Sequence, residues 1–210
     1  MSVVVVTSSI GEPGRGLHTP RHDRRADGVR YVAFVDRPVV HDVWETVRVD
    51  PTPGDSCRVA KRFKVLIAEH VGDASRSIWI DRHCRLICDP LAIWDEFGED
   101  VGLVEHYRRC VYSEAKACRR QRKDGALIIR RTTDRWRAEG VPENGGLYYG
   151  GFVLRRHGGA DDFSRLWWDL ICWGSRRDQL SLPVALHRSG VSVRTFRRSR
   201  RPDMFKIGGK

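Results

Sequence analysis

The chain has 210 residues, 40% of them apolar and 31% charged, with a formal net charge of +11. This balance supplies core material for one large or two small domains and excludes wholesale disorder. No apolar run approaches the roughly 20 residues that span a bilayer, so the expectation is a soluble, cytoplasmic protein.

The N-terminus, "MSVVVVTSSIG", lacks the basic n-region of a signal peptide and reads as a strand over Val3–Val6. An uninterrupted β-branched run suits a strand buried on both faces of a parallel sheet. It ends at Thr7 and Ser8, in the Gly/Pro-rich loop "TSSIGEPGRGLHTP". A second strand, "YVAFVD" over 31–36, ends in Asp36, and "VWETVRVD" over 43–50 alternates as a third. "CRVAKRFKVLIAEHV" over 57–71 places Val59, Phe63, Leu66 or Ile67, and Val71 on one helical stripe. Arg58, Lys61, Arg62 and Lys64 lie on the same helix, where a cation can neutralise phosphate or simply face solvent.

"SIWID" over 77–81 is a fourth strand that ends in Asp81. "DPLAIWDEFG" reads as a short helix with Asp89 at the N-cap and Pro90 at the first helical position. A charged helix over 112–125, capped by Ser113, and a second helix ending at Gly140 follow. "GLYYGGFVLRRH" over 146–157 reads as a strand broken by Gly150-Gly151. Two helices follow: one is capped near Asp161 or Asp162, and the other, "DQLSLPVALHRSG", carries a proline in its first turns. Strands alternating with helices predict an α/β fold in a single domain, with a mostly parallel central sheet flanked by helices. The domain is expected over 1–193 and a basic C-terminal tail over 194–210.

The charge is concentrated. Residues 106–140 carry eleven Lys/Arg against four acids, and residues 176–201 carry eight Arg against Asp178 alone. Such a field attracts a polyanion, and for 106–140 a solvated surface explains it equally well. In the tail, Arg197, Arg198, Arg200 and Arg201 are candidates for polyanion contact. The six cysteines form no CxxC pair, so reduced thiols are expected rather than structural zinc.

Thr7-Ser8, Asp36 and Asp81 all stand at strand ends, and ligands of parallel α/β sheets bind at the carboxyl ends of the strands. Asp81 and His83, two apart, put an oxygen and an imidazole on one side of an extended segment, as ligands for a divalent cation or as a turn carboxylate beside a surface histidine. In "GSRRDQLSLP", Asp178 between Arg176-Arg177 and a helix start is either an N-cap or a carboxylate that accepts a proton from an attacking hydroxyl. Gly150 and Gly151 allow a close backbone approach to a ligand, with Tyr148 and Tyr149 able to stack on a sugar or base; the alternative is a β-bulge with core aromatics. There is no P-loop, no GxGxxG after Val3–Val6, and no GxSxG, HExxH or zinc-deaminase signature, so ATPase, Rossmann dehydrogenase, hydrolase and metalloprotease readings lose most of their support.

Seven segments in one order resemble a known family. They are "VVVVTSSIGEPG", "YVAFVDRP", "CRVAKRFKVLIAEHV", "SIWIDRHCRLICDP", "EHYRRCVYSEAKAC", "RWRAEGVPENGGLYYGGFVLRRH" and "WWDLICWGSRRDQLSLPVAL", spanning most of 3–186. The family is the glycosyltransferase-like domain once filed as a domain of unknown function, with plant mucilage- and turgor-related and bacterial members. The resemblance implies a GT-A-like (Rossmann-like) fold and transfer of a sugar from a UDP-type nucleotide-sugar to a hydroxyl, assisted by Mn²⁺ or Mg²⁺. It implies donor contacts at Thr7, Ser8, Asp36, Lys61, Lys64 and Asp81, with Asp178 and Gln179 at the reaction centre. Asp81 stands where the family's metal-binding DxD motif begins. His83 replaces its second Asp, and His187 is the third candidate ligand. Tyr148, Tyr149, Gly150, Gly151, Arg176 and Arg177 are the expected acceptor contacts. The two basic segments, rather than the resemblance, point to a polyanionic acceptor: a hydroxymethylated DNA base first, in a bacterial or phage-infected cell, and a glycan second. The competing readings are a non-catalytic nucleic-acid-binding protein on the same fold and a nucleotide-sugar hydrolase.

Overall fold

A computed structural model describes residues 2–11, 17–19, 28–50 and 54–207. Part of the Gly/Pro-rich loop (12–16 and 20) and the last three residues of the expected tail lie outside the described residues. In chain order the strands and helices are β1 (Val3–Ser9), β2 (Val29–Val35), β3 (Glu45–Arg48), α1 (Ser56–Val65), β4 (Arg76–Ile80), β5 (Cys84–Leu86) and α2 (Ala92–Asp95). Then come β6 (Val101–Glu105), α3 (Val111–Arg120), α4 (Ala126–Ala138), β7 (Tyr148–Arg156), α5 (Asp161–Trp173), α6 (Leu182–Ser189), β8 (Val193–Phe196), α7 (Arg201–Met204) and β9 (Phe205–Ile207).

Seven strands form one sheet in the order β3-β2-β1-β4-β7-β6-β8, and β5 pairs separately with β9. Only β7 runs against the other six. The architecture is therefore the expected mixed α/β single domain with a mainly parallel central sheet. β1 shows why the valine run suits this position. Val4 and Val6 face the core under α1 and α3–α6, while Val3 and Val5 face the opposite core with Trp94, Phe97 and Phe205. A central strand covered on both faces needs apolar side chains in both directions.

β2 and β3 lie on one side of β1, and β4 on the other. Strand order thus reverses between β1 and β4, and such a reversal opens a crevice at the carboxyl ends of the strands. α1 crosses back to β4 over this crevice. Asp55 caps it by accepting from Arg58 N at 3.0 Å, and Phe63 stacks on Phe34 of β2 with ring centroids 4.2 Å apart. The helix stops at Val65, not Val71: Leu66 leaves helical dihedrals, and a 3-10 turn over Ile67–Glu69 drops Ile67 into the core. Asp89 does cap the next turn, accepting from Leu91 N at 2.8 Å. Ser113, by contrast, lies inside α3, which begins at Val111.

β7 is continuous along β4, yet its pairing with β6 slips between Leu103 and Glu105. Leu103 faces Val153 and Glu105 faces Tyr148, so the extra residues of β7 form a bulge around Gly150-Gly151. The basic segment also departs from expectation. The boundary at 193/194 falls inside β8, which pairs parallel with β6. Phe205, 1% exposed, stacks on Phe152 at 5.1 Å. Phe196, Met204 and Phe205 explain this: three apolar side chains among the arginines are enough to anchor the segment in the core. No helix among the described residues is long and apolar enough to cross a membrane.

Candidate active site

The site begins at the end of β4. Trp79 and Asp81 are two apart and share one face, and the Trp79 indole Nε1 donates to Asp81 Oδ1 at 2.7 Å. The turn after β4 uses the backbone of Asp81: its N–H donates to Gly151 O at 2.9 Å and its carbonyl accepts from Cys84 N at 2.7 Å. The carboxylate is therefore not consumed by the turn and faces α1.

α1 delivers two lysines, three residues apart, to the same place. Lys61 Nζ lies 2.8 Å from Asp178 Oδ1, and Lys64 Nζ lies 2.5 Å from Asp178 Oδ2 and 3.5 Å from Asp81 Oδ1. Lys64 is 1% exposed and Asp178 2%. Such burial is tolerable for charges only because they are paired. Lys64 Nζ also lies 5.8 Å from the Trp79 ring centroid and 5.9 Å from that of Trp167. Burial alone would raise the pKa of Asp178, but Lys61, Lys64 and Arg177 outweigh it and hold this carboxyl far below the usual range. Asp81 is shifted down in the same way, burial being overcome by Lys64 and Lys61. Burial opposes the Lys61 ammonium too, yet Asp178 and Asp81 raise its pKa. All three groups are charged at neutral pH.

The turn before Asp178 is built by a residue outside it. Asp124 Oδ2 accepts from Ser175 Oγ at 2.7 Å and from Arg176 N at 3.0 Å. The Asp178 carbonyl accepts from Trp167 Nε1 at 3.1 Å, and Gln179 Nε2 donates to Tyr148 O at 2.9 Å. The β7 bulge closes the far side. A Cβ on Gly150 would lie 3.0 Å from Lys64 Nζ and 3.1 Å from Asp178 Oδ2, and one on Gly151 would lie 3.2 Å from Asp81 Oδ2. The glycines admit the backbone to the charged cluster, as a side chain there would not.

Two cavities meet at this cluster. One, of about 390 Å³, runs under the end of β1 and is lined by Ser8, Ser56, Arg82, Arg176 and neighbours. The other, of about 330 Å³, is lined by His106, Tyr149, Gly150, Asp178, Gln179 and Phe205 among others. Lys61, Lys64, Asp81, His83, Lys123 and Arg177 line both. The arrangement is a two-lobed cleft with an ionic wall at the junction.

Of the residues singled out from sequence, Ser8, Lys61, Lys64, Asp81, His83, Arg176 and Arg177 line the first lobe, and Tyr149, Gly150, Gly151, Asp178 and Gln179 line the second. Thr7 is buried beneath the first lobe, with Oγ1 lacking a partner. Asp36 Oδ2 accepts from Gly11 N at 2.6 Å, so it shapes the first lobe through Gly11 without lining it. Tyr148 contributes its carbonyl to Gln179. His187 is exposed on the last turn of α6 and lines neither lobe. Arg197, Arg198 and Arg200 are exposed beyond β8, whereas Arg201 lies 5.8 Å from the ring centroids of both Tyr149 and Phe205 at the edge of the second lobe.

Sequence reading missed Lys123, Asp124, His106 and the two tryptophans. His106 is 6% exposed, and burial pushes its pKa down to about 4. Its Nδ1 accepts from Arg108 N at 3.3 Å, which leaves the ring proton of the neutral imidazole on Nε2.

The residues present do not fit a divalent cation. Mn²⁺ or Mg²⁺ needs several oxygen or imidazole donors. Asp81 Oδ1 is already shared by Trp79 and Lys64, and both Asp178 oxygens face ammonium groups. Among the described residues no three His, Cys, Asp or Glu side chains converge.

Comparison with known proteins gives two matches. The family profile described as "TOD1/MUCI70, glycosyltransferase-like domain" matches residues 3–207. A curated relative from Arabidopsis thaliana, the probable hexosyltransferase MUCI70, is 28% identical over 168 residues, covering 73% of this chain. The chain spans only 29% of that relative's length.

Proposed function

We propose, because the chain belongs to the TOD1/MUCI70 glycosyltransferase-like domain family, that it moves a hexose from a nucleotide-sugar to a hydroxyl acceptor. The observation that carries this reading is the ionic wall of Lys61, Lys64, Asp81 and Asp178 between two lobes. A transferase needs two adjoining compartments and must stabilise the diphosphate that departs between them. The lobe beneath β1 and β4 suits a nucleoside diphosphate, with uridine the first choice of base. The lobe at the β7 bulge suits the acceptor, with Tyr149 as a stacking surface.

In the reaction the bond from the anomeric carbon to the diphosphate oxygen breaks, and its electron pair leaves with the diphosphate. A new bond forms from the same carbon to the acceptor oxygen, whose proton is released to solvent. Lys61 and Lys64 would neutralise the charge growing on the leaving oxygens. Asp178, acidified by two ammonium groups, is a weak base. Its role is to aim the lysines and face the sugar across Gly150, rather than to take the acceptor proton.

A polyanionic acceptor is supported by a basin of about 790 Å³ lined by Arg108, Ser113, Lys116, Arg119 and Arg120 on and beside α3. Arg108, at the basin, lies two residues from His106, which lines the second lobe. A hydroxymethylated DNA base is the preferred acceptor and a glycan the second. Labelled UDP-sugars offered with hydroxymethylated DNA, plain DNA and glycans test the choice. Transfer to modified DNA alone is expected, and turnover on glycan without DNA transfer overturns the DNA acceptor.

A further inference from the structure

The donor lobe gathers six cations, Lys61, Lys64, Arg82, Lys123, Arg176 and Arg177, against the carboxylate of Asp81. Resting on the donor-site reading above, we infer that these side chains hold the donor's diphosphate in place of a divalent metal. Three observations carry the inference. The Lys64 ammonium already bridges Asp81 and Asp178, at 3.5 and 2.5 Å, the space a bridging metal would need. A divalent ion placed there would meet two ammonium groups at close range, and like charges in a partly buried site repel strongly.

The second observation is the arginine pair. Arg176 and Arg177 both line the lobe, and Arg176 Nε lies 3.5 Å from Asp124 Oδ1. Neighbouring guanidinium groups on a fixed turn suit the oxygens of a phosphate. Asp124 fixes that turn through Ser175 Oγ and Arg176 N.

The third is the position of Lys61. Its side chain is 15% exposed, where Lys64 is 2%, so it reaches the lobe while anchored to Asp178. Lys64 sets the internal charge balance, and Lys61 with the arginine pair meets the ligand. His83, exposed at the rim, has no metal to complete and is free to contact the nucleotide.

The test is thermal-shift titration of the full chain with UDP, GDP, ADP, CDP and dTDP, each with EDTA and with Mn²⁺. The expected result is that one diphosphate stabilises the protein equally under both conditions. In EDTA, Lys61→Gln and, separately, Arg176→Gln each weaken that binding about tenfold or more, while Asp81→Asn strengthens it by removing the anion from the lobe. Stabilisation that appears only with Mn²⁺, and is lost in Asp81→Asn, overturns the inference and leaves the transferase reading standing. No stabilisation by any diphosphate, with or without Mn²⁺, overturns the donor-site reading and this inference with it.

Discussion

Lys64 Nζ lies 2.5 Å from Asp178 Oδ2, joining a helix and a 3-10 turn 114 residues apart. The pair is the hinge of the site: it holds α1, the end of β4 and the turn after α5 in one charge-balanced cluster. Removing one member leaves the others buried and uncompensated. Lys64→Met should therefore cost about 3–5 kcal/mol of unfolding free energy. Adding Asp178→Asn should return part of it, as a double-mutant cycle by urea denaturation would measure. Additive losses would show the two residues to be uncoupled.

The same cluster sets an acid response. The folded pKa values of Asp81 and Asp178 lie below the ordinary value near 4. Their contribution is present above that value and is lost as pH falls through the folded pKa values. His106 acts earlier. Its pKa falls from 6.5 to about 4 on folding, so stability drops as pH falls between those values, by up to about 3 kcal/mol. His70 and His157, also shifted down by burial, add to the same limb. Urea midpoints from pH 7.5 to 4 should decline, and His106→Gln should flatten part of that decline.

Gly150→Ala tests the close approach of the β7 bulge. The added methyl would press on Lys64 Nζ and Asp178 Oδ2. Turnover should fall at least about tenfold, because small misplacements in a reacting site cost that much, while the chain stays folded by circular dichroism. Full activity would remove the bulge from the account.

Cutting the chain after residue 193, the boundary that charge alone suggested, should abolish folding. It removes most of β8 together with buried Phe196, Met204 and Phe205. Phe205→Ala alone should cost about 3–5 kcal/mol and open the second lobe, which it lines. A truncated chain with native circular dichroism would contradict this.

The first half of the fold was legible because its strands announce themselves. Four β-branched valines, "YVAFVD" and "SIWID" end in polar residues at one sheet edge, and one of the four residues of the ionic wall, Asp81, ends the last of these segments. β6 was not legible: Gly102 interrupts its apolar run, and only the structure shows that Phe97 and Leu154 crowd that glycine. β8 and β9 were hidden by charge, since arginine-rich stretches read as solvated unless their few apolar positions are placed. Lys64 was recognised as basic, but periodicity could not separate a solvated lysine from one with 1% exposure. Asp124 acts from within a basic block through Ser175 and Arg176, about 50 residues away, a partnership that local spacing cannot reveal.

The most direct measurement is product analysis by mass spectrometry after incubation with a panel of nucleotide-sugars and the acceptors named above. The account predicts that one donor is converted to its nucleoside diphosphate with a hexose appearing on the acceptor, and that Asp178→Asn, folded by circular dichroism, loses this turnover. A folded wild-type chain that leaves every donor intact, or an Asp178→Asn variant as active as wild type, would contradict it.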